Sequence, residues 1–261
     1  MKTNMNRKTI VADTHVHFYP CYNFQQVWKA CVSSSVQALF LAERFDTHYF
    51  RQFQNGQHPF GEGVSLQLVP GGDAVLFSDR NGYEVLIVAG RQIVTKERLE
   101  VVALTVDPDI PDGRPTEEVL AAIHEAGGLP LLNWAPGKWM GPRGQIVASL
   151  LDRSAPGSLF VGDTTLRPAG CPDAVLMRYA ARRGLSILAG SDPLPFPGEE
   201  SRVGRYGVSF EAAWNPEAPV DSIRKSLAAS DAKIRRIGRR DSIVSVFRRL
   251  WTLRQQKCLS A

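Results

Sequence analysis

The chain has 261 residues, a formal net charge of +5 and 44% hydrophobic residues, enough to bury a sizeable core and inconsistent with a disordered or fibrous protein. No apolar run approaches the ~20 residues that a membrane span requires, and no signal-peptide core follows the basic N-terminus. Cys21, Cys31, Cys171 and Cys258 show no CxxC spacing, so free thiols in a cytoplasmic protein are expected.

In chain order, "KTIVADT" is short, β-branched and apolar at its centre, and predicts a buried strand. "CYNFQQVWKACVSSS" follows as a helix with Phe24, Val27, Trp28 and Cys31 on one face. "VQALFLAE" predicts a second buried strand and "RFDTHYFRQFQN" a short helix. The next strand-like runs are split by "PGG" and "RNG", which are hairpin turns, so an antiparallel excursion is expected near residues 62–90.

A regular alternation comes next. "LEVVALTV", "LPLLNW", "SLFVGD" and "LSILAGSD" read as strands. Between them "PTEEVLAAIHEAG", "RGQIVASLLDRS" and "PDAVLMRYAARRG" read as helices, the first with Pro at its start and Gly at its end. Strands alternating with helices imply βα units, a parallel sheet and a single β/α barrel. The expected division is a barrel over residues 1–220 and a basic helical segment over 221–261. From Asp221 onward there are eleven Lys and Arg against three Asp, a local +8 that leaves −3 for the rest. In that tail Ile234, Ile237, Val244, Phe247 and Trp251 recur at near-helical spacing, which predicts a terminal helix packed through this stripe. Its basic face could contact an anionic partner, although no nucleic-acid motif accompanies the charge.

Chemistry-bearing residues gather where strands are expected to end. "DTHVH" places His15 and His17 two apart, on one side of a strand, with Asp13 one step earlier. Two neutral imidazoles beside a carboxylate make a partial site for Zn²⁺, Mn²⁺ or Fe²⁺. Later strand ends supply Glu43, Gln92, Glu100, Asp107, Asn133 with Lys138, Asp163 with Arg167, and Asp192. Lys138, Arg143, Arg167, Arg202 and Arg205 together favour an anionic ligand. His124, inside a predicted helix, has a structural role, and His58 is assigned none.

"DTHVH", "AGGLPLL" with a polar turn after it, and "ILAGSD" near the end resemble, in that order, the PHP (polymerase and histidinol phosphatase) family of metal-dependent phosphoesterases. The resemblance runs from about residue 8 to residue 210 and is firmest at His15, His17 and Asp192. It implies a distorted (β/α)7 TIM-like barrel and metal-dependent hydrolysis of phosphoesters. Several family positions differ. Gln92 stands where a bridging Glu is usual, Asn133 or Trp134 where a His is, and Leu194 in place of the final His. A neutral amide cannot supply a bridging carboxylate's charge between two cations.

The resemblance therefore implies one divalent ion rather than a cluster, held by His15, His17 and Asp192 with Asp13 or Glu43. Asp163 or Glu100 would act as base, Lys138 and Arg167 would bind the anion, and a water activated by the metal would be the nucleophile. The expected substrate is an anionic small molecule. The alternative is a catalytically silent barrel that serves as a binding or scaffold module.

Overall fold

The computed structural model describes residues 7–259. The N-terminal residues 1–6 and the Cys258 side chain lie outside the described residues. Cys21, Cys31 and Cys171 are free thiols.

The elements in order are β1 (Arg7–Val16), α1 (Phe24–Ser34), β2 (Ala38–Leu41), α2 (Tyr49–Gln54), β3 (Val64–Leu68), β4 (Ala74–Asp79), β5 (Glu84–Val88), β6 (Gly90–Val94) and β7 (Glu100–Leu104). They continue with α3 (Thr116–Glu125), β8 (Leu129–Asn133), α4 (Gly141–Arg153), β9 (Phe160–Thr164), α5 (Val175–Arg182) and β10 (Ile187–Gly190). After a 3₁₀ turn (Glu199–Arg202) come β11 (Tyr206–Ala213), α6 (Pro219–Ala228), β12 (Arg235–Gly238) and α7 (Ile243–Leu259).

The strands form two mixed sheets, not the single (β/α)7 barrel expected from the alternation. One has seven strands in the order β12-β11-β1-β2-β5-β4-β3, the other five in the order β10-β9-β8-β7-β6. The correction has a physical basis in strand direction. β11, an unpredicted strand, pairs antiparallel with β1 from Arg7↔Ala213 to Ala12↔Val208 and so takes the edge that closure would need. β7 is antiparallel to both β6 and β8. Among the described residues no strand ladder joins the two sheets; individual bonds do, among them the Asp192 amide to the His15 carbonyl (2.9 Å), the Thr14 hydroxyl to the Ala189 carbonyl (2.9 Å) and the isolated bridge between Glu43 and Arg91.

The chain passes from one sheet to the other at Ala89, between β5 and β6. Gly90 permits this: a Cβ there would stand 1.9 Å from the Leu41 carbonyl oxygen, which no side chain can accommodate. β3, β4 and β5 form an antiparallel meander in the first sheet.

Burial on both faces explains the continuous apolar runs. Phe40, Val88, Leu104, Leu131, Phe160 and Val208, drawn from both sheets, share one interior. The alternate residues Leu39, Leu41 and Ile87 join an aromatic cluster with Phe18, Phe24, Phe53 and Phe77 beneath α1 and α2. α3, α4 and α5 cover the second sheet through Val119, Val147, Leu151 and Met177.

The tail departs from the expected stripe. Ile234 and Ile237 flank or lie in β12, which pairs with β11. Val244, Phe247 and Trp251 on α7 are each more than 60% exposed. The face of α7 that packs carries Val246 and Arg249 instead. Among the described residues no helix is long and apolar enough to cross a membrane.

Candidate metal centre

His15 lies near the end of β1 and His17 just beyond it, both buried. Their Nε2 atoms lie 3.0 Å apart, and each is 3.7 Å from Asp192 Oδ1, which follows β10. Among the described residues this is the one group of three His, Cys, Asp or Glu side chains close enough to hold a metal ion. At metal–ligand bonds of 2.0–2.1 Å, two ligands sit about 2.9 Å apart at an octahedral right angle and about 3.3 Å apart in a tetrahedron. The 3.0 Å separation falls between those values and the two 3.7 Å separations lie about 0.4 Å beyond the tetrahedral one, so a small inward shift of the Asp192 carboxylate would let the three donors hold one divalent cation.

The electrostatics agree. Burial holds the His17 imidazolium well disfavoured, and the neighbouring His15 and Arg44 add to that effect, so its pKa lies well below the ordinary 6.5. The backbone at Ala42 opposes this by bonding the ring. A neutral imidazole keeps a lone pair for a metal. Burial raises the Asp192 pKa, the His15 side chain opposes the rise, and nearby Glu100 adds to it. Thr164 at the end of β9 bonds the Asp192 carboxyl. Burial away from water disfavours the carboxylate anion, and a bound cation would favour it.

The other residues singled out in the sequence are placed elsewhere or otherwise engaged. The Asp13 carboxylate accepts from the backbone amides of His15 (3.2 Å), Ser191 (2.9 Å) and Gly204 (2.9 Å). It ties β1 to the segments after β10 and before β11, and the β1–β2 register shifts between Asp13 and Val16. Burial pushes its pKa up to about 6, with the hydrogen bonds opposing. Glu43 accepts from the Phe50 amide at 3.0 Å, and its second oxygen has no partner. Beside it Arg91 is bonded to Asp107 at 2.5 Å. Burial pushes the Glu43 carboxyl up to about 7.

Glu100 accepts from Lys138 (2.5 Å) and from Asn133 Nδ2 (3.4 Å). Both members of that ion pair are partly exposed, and the charge of Glu100 adds to the raised pKa of Asp192. Asp163 is different. Its fully buried carboxylate is bonded by Arg167, by the Tyr206 hydroxyl (2.7 Å) and by Arg236 (3.0 Å). Arg167 and Arg236 also pair with Asp173. Asp163 and Arg167 thus form a closed network.

Gln92 lies within β6 and donates its amide to the Glu43 carbonyl. Leu194 is buried, with its amide bonded to Glu199 and its carbonyl to Tyr22. Arg202 pairs with Glu199 and Asp241, Arg205 approaches Asp241, and Arg143 donates to the Gly137 carbonyl.

Sequence reading missed several groups. Thr164 and Arg44 touch or influence the metal group, and neither residue type signals such a role. Arg249 of α7 donates to the Asp192 carbonyl at 2.9 Å, yet lies 57 residues away. β11 had a usable signal, the alternation of buried Val208, Phe210 and Ala212 with Ser209 and Glu211.

No family model matches the sequence, and no curated protein matches it. Solved structures do share the fold. PsfC from Pseudomonas syringae PB-5123 superposes with a TM-score of 0.59 at 14% identity, over 98% of this chain and all of that one. The lesion-specific endonuclease PfuEndoQ from Pyrococcus furiosus gives 0.55 at 15% identity, over 88% of this chain and 59% of that one. Endonuclease Q in complex with a 27-mer duplex bearing an abasic lesion at the active site gives 0.51 at 13% identity, over 88% and 60%. The chain therefore spans about three fifths of the endonuclease's length.

These likenesses overturn one expectation. A small anionic molecule was expected as partner from the rim lysine and arginines and from the resemblance, but this fold occurs in an endonuclease whose duplex substrate carries a lesion at the active site. Shape and backbone contacts can bind nucleic acid with no short sequence motif.

Proposed function

We propose that this protein is a metal-dependent hydrolase that cleaves phosphodiester bonds in nucleic acid. The observation that carries the reading is the convergence of His15 Nε2, His17 Nε2 and Asp192 Oδ1 on one point. The PHP-like order of the sequence motifs supports it, as does the endonuclease that shares the fold.

His15, His17 and Asp192 would hold one Zn²⁺, Mn²⁺ or Fe²⁺. Such an ion supplies Lewis acidity toward a phosphoryl oxygen and lowers the pKa of a water. The remaining work falls to the chain's own side chains. Lys138, partly exposed and paired with Glu100 at 2.5 Å, would donate to a phosphate oxygen in exchange for that carboxylate. Glu100, freed from Lys138, can then take a proton at Oε1. Thr164 keeps the Asp192 carboxyl oriented. Asp163 and Arg167 hold β9 and β12 together and do not contact substrate.

A second reading is a binding module without catalysis. It is favoured by Leu194, which turns inward and packs where the resemblance calls for a histidine. One experiment separates the two. Protein loaded separately with Zn²⁺, Mn²⁺ and Fe²⁺ is incubated with plain duplex DNA, single-stranded DNA and a duplex bearing one abasic site. Cleavage of any of them that is abolished by His15→Ala with His17→Ala supports the hydrolase. Binding without cleavage under all three metals supports the module.

A further inference from the structure

We infer that Arg249, carried on the terminal helix α7, is a positioning residue for Asp192. The inference rests on the reading of Asp192 as a metal ligand.

Asp192 adopts a left-handed backbone conformation, φ 49°, which a non-glycine residue holds only when its surroundings impose it. Two bonds fix its peptide groups from opposite sides. Its amide donates to the His15 carbonyl, which ties it to the histidine strand. Its carbonyl accepts from Arg249 Nη2 at 2.9 Å. The same guanidinium reaches the rest of the loop. Nη1 donates to Thr165 Oγ1 at 2.7 Å, and that hydroxyl donates to the Ser191 carbonyl at 2.5 Å. Nε and Nη2 donate to Glu199, whose Oε2 accepts from the Leu194 amide. One rigid fork thereby grips residues 191, 192, 194 and 199, directly or through one intermediate.

The charge is balanced for such a role. Arg249 is 3% exposed. Glu199 and Asp241 both pair with it, and both also pair with Arg202. Two buried or partly buried cations meet two carboxylates, with the exposed Arg205 approaching Asp241 from solvent, so the guanidinium can sit in the interior without an unpaired buried charge. Only a planar fork spans these acceptors at once; an ammonium is a single point. If α7 required only an anchor, pairing with Glu199 and Asp241 would suffice. The bond to the Asp192 carbonyl ties the helix to the ligand's own backbone.

The test uses Co²⁺ as the probe, read by its visible d–d absorption, with the full chain. Wild type, Arg249→Gln, Arg249→Lys and Val246→Ala are compared, each first shown to melt cooperatively. Val246 is buried on the same face of α7 and its side chain has no hydrogen-bonding group, so its truncation removes packing and no bond to the loop. We expect Arg249→Gln and Arg249→Lys to weaken Co²⁺ affinity roughly 10- to 100-fold, the usual effect of losing a residue that orients a ligand, with an altered absorption envelope. Val246→Ala should keep wild-type affinity.

If Arg249→Gln does not fold, the Lys variant carries the comparison. Wild-type affinity in a folded Arg249 variant would overturn the inference. So would a loss in Val246→Ala equal to that in the Arg249 variants, which would make the residue a helix anchor only. A wild type that takes up no Co²⁺ would overturn the ligand reading itself, and this inference with it.

Discussion

Gly190 lies directly against the backbone of His15. A β-carbon at 190 would stand 2.4 Å from His15 Cβ, 2.6 Å from its amide nitrogen and 2.9 Å from its Cα. None of these atoms can rotate away, so a methyl group there must separate β10 from β1. Those strands carry the two halves of the metal group. We expect Gly190→Ala to cost 3 kcal/mol or more, on the order of the upper range for overpacking a core, and to lower metal affinity as well. Thermal melts by circular dichroism with and without Zn²⁺ check this. An alanine variant with wild-type stability would mean that the two strands are not in contact.

Metal stoichiometry is the most direct measurement. Protein purified without chelator and loaded with each ion should bind close to one per chain, because three donors converge at one place. His15→Ala with His17→Ala should abolish binding, and Asp192→Asn should weaken it. At a free ion concentration 100 times Kd, wild type should gain about 2.7 kcal/mol of stability and the double variant none. Elemental analysis after dialysis, together with paired melts, reads both effects.

Glu43 gives a pH prediction. Its carboxyl sits at about 7 in the fold against an ordinary 4.5, because burial disfavours the anion. The fold therefore prefers the protonated form. That contribution is fully present below pH 4.5 and is lost as pH rises through 7. Glu43→Gln mimics the protonated acid and keeps an acceptor for the Phe50 amide. In chelator, the variant should match wild type near pH 4.5. It should become more stable above pH 7, by on the order of 3 kcal/mol. Urea titrations across that range test it, and parallel curves would refute it.

Asp163→Asn should behave as a stability variant rather than a catalytic one. It leaves Arg167 and Arg236 with reduced compensation in a buried network. A cost of about 3–5 kcal/mol is expected for breaking such a pair. Glu100→Gln, partly exposed, should barely move the melting temperature but should lower cleavage. If Asp163→Asn keeps its melting temperature and loses activity, the roles given to these two acids are reversed.

The exposed stripe of α7 makes a simpler case. Phe247→Ser with Trp251→Ser should change stability by no more than about 0.5 kcal/mol per site. Val246→Ala, on the packed face, should cost more. Chemical denaturation distinguishes the two faces, and a large loss in the double serine variant would return the stripe to the core.

The sequence by itself determined most of the local elements, though not β11 or β12, and marked the candidate metal donors. "KTIVADT", "LPLLNW" and "SLFVGD" are strands because apolar, β-branched runs bury both faces, and the helices between them end where Gly and polar residues stop them. His15, His17 and Asp192 were legible because imidazoles and a carboxylate at strand ends have few other uses. Tertiary structure alone decided how the strands are joined. Strand direction depends on which edges meet, and antiparallel β7, buried on both faces, leaves no periodic signature that differs from a parallel strand. It also decided the fate of the acids. Asp13, Asp163 and Glu100 look alike along the chain. One is claimed by three backbone amides, one by a buried and a partly exposed guanidinium and a phenol, and one remains near solvent with a lysine. Likewise, helical spacing in the tail marks an apolar stripe but cannot say which side of the helix meets the body. Here an arginine's fork found four acceptors on the inner side, and the aromatic rings were left outside.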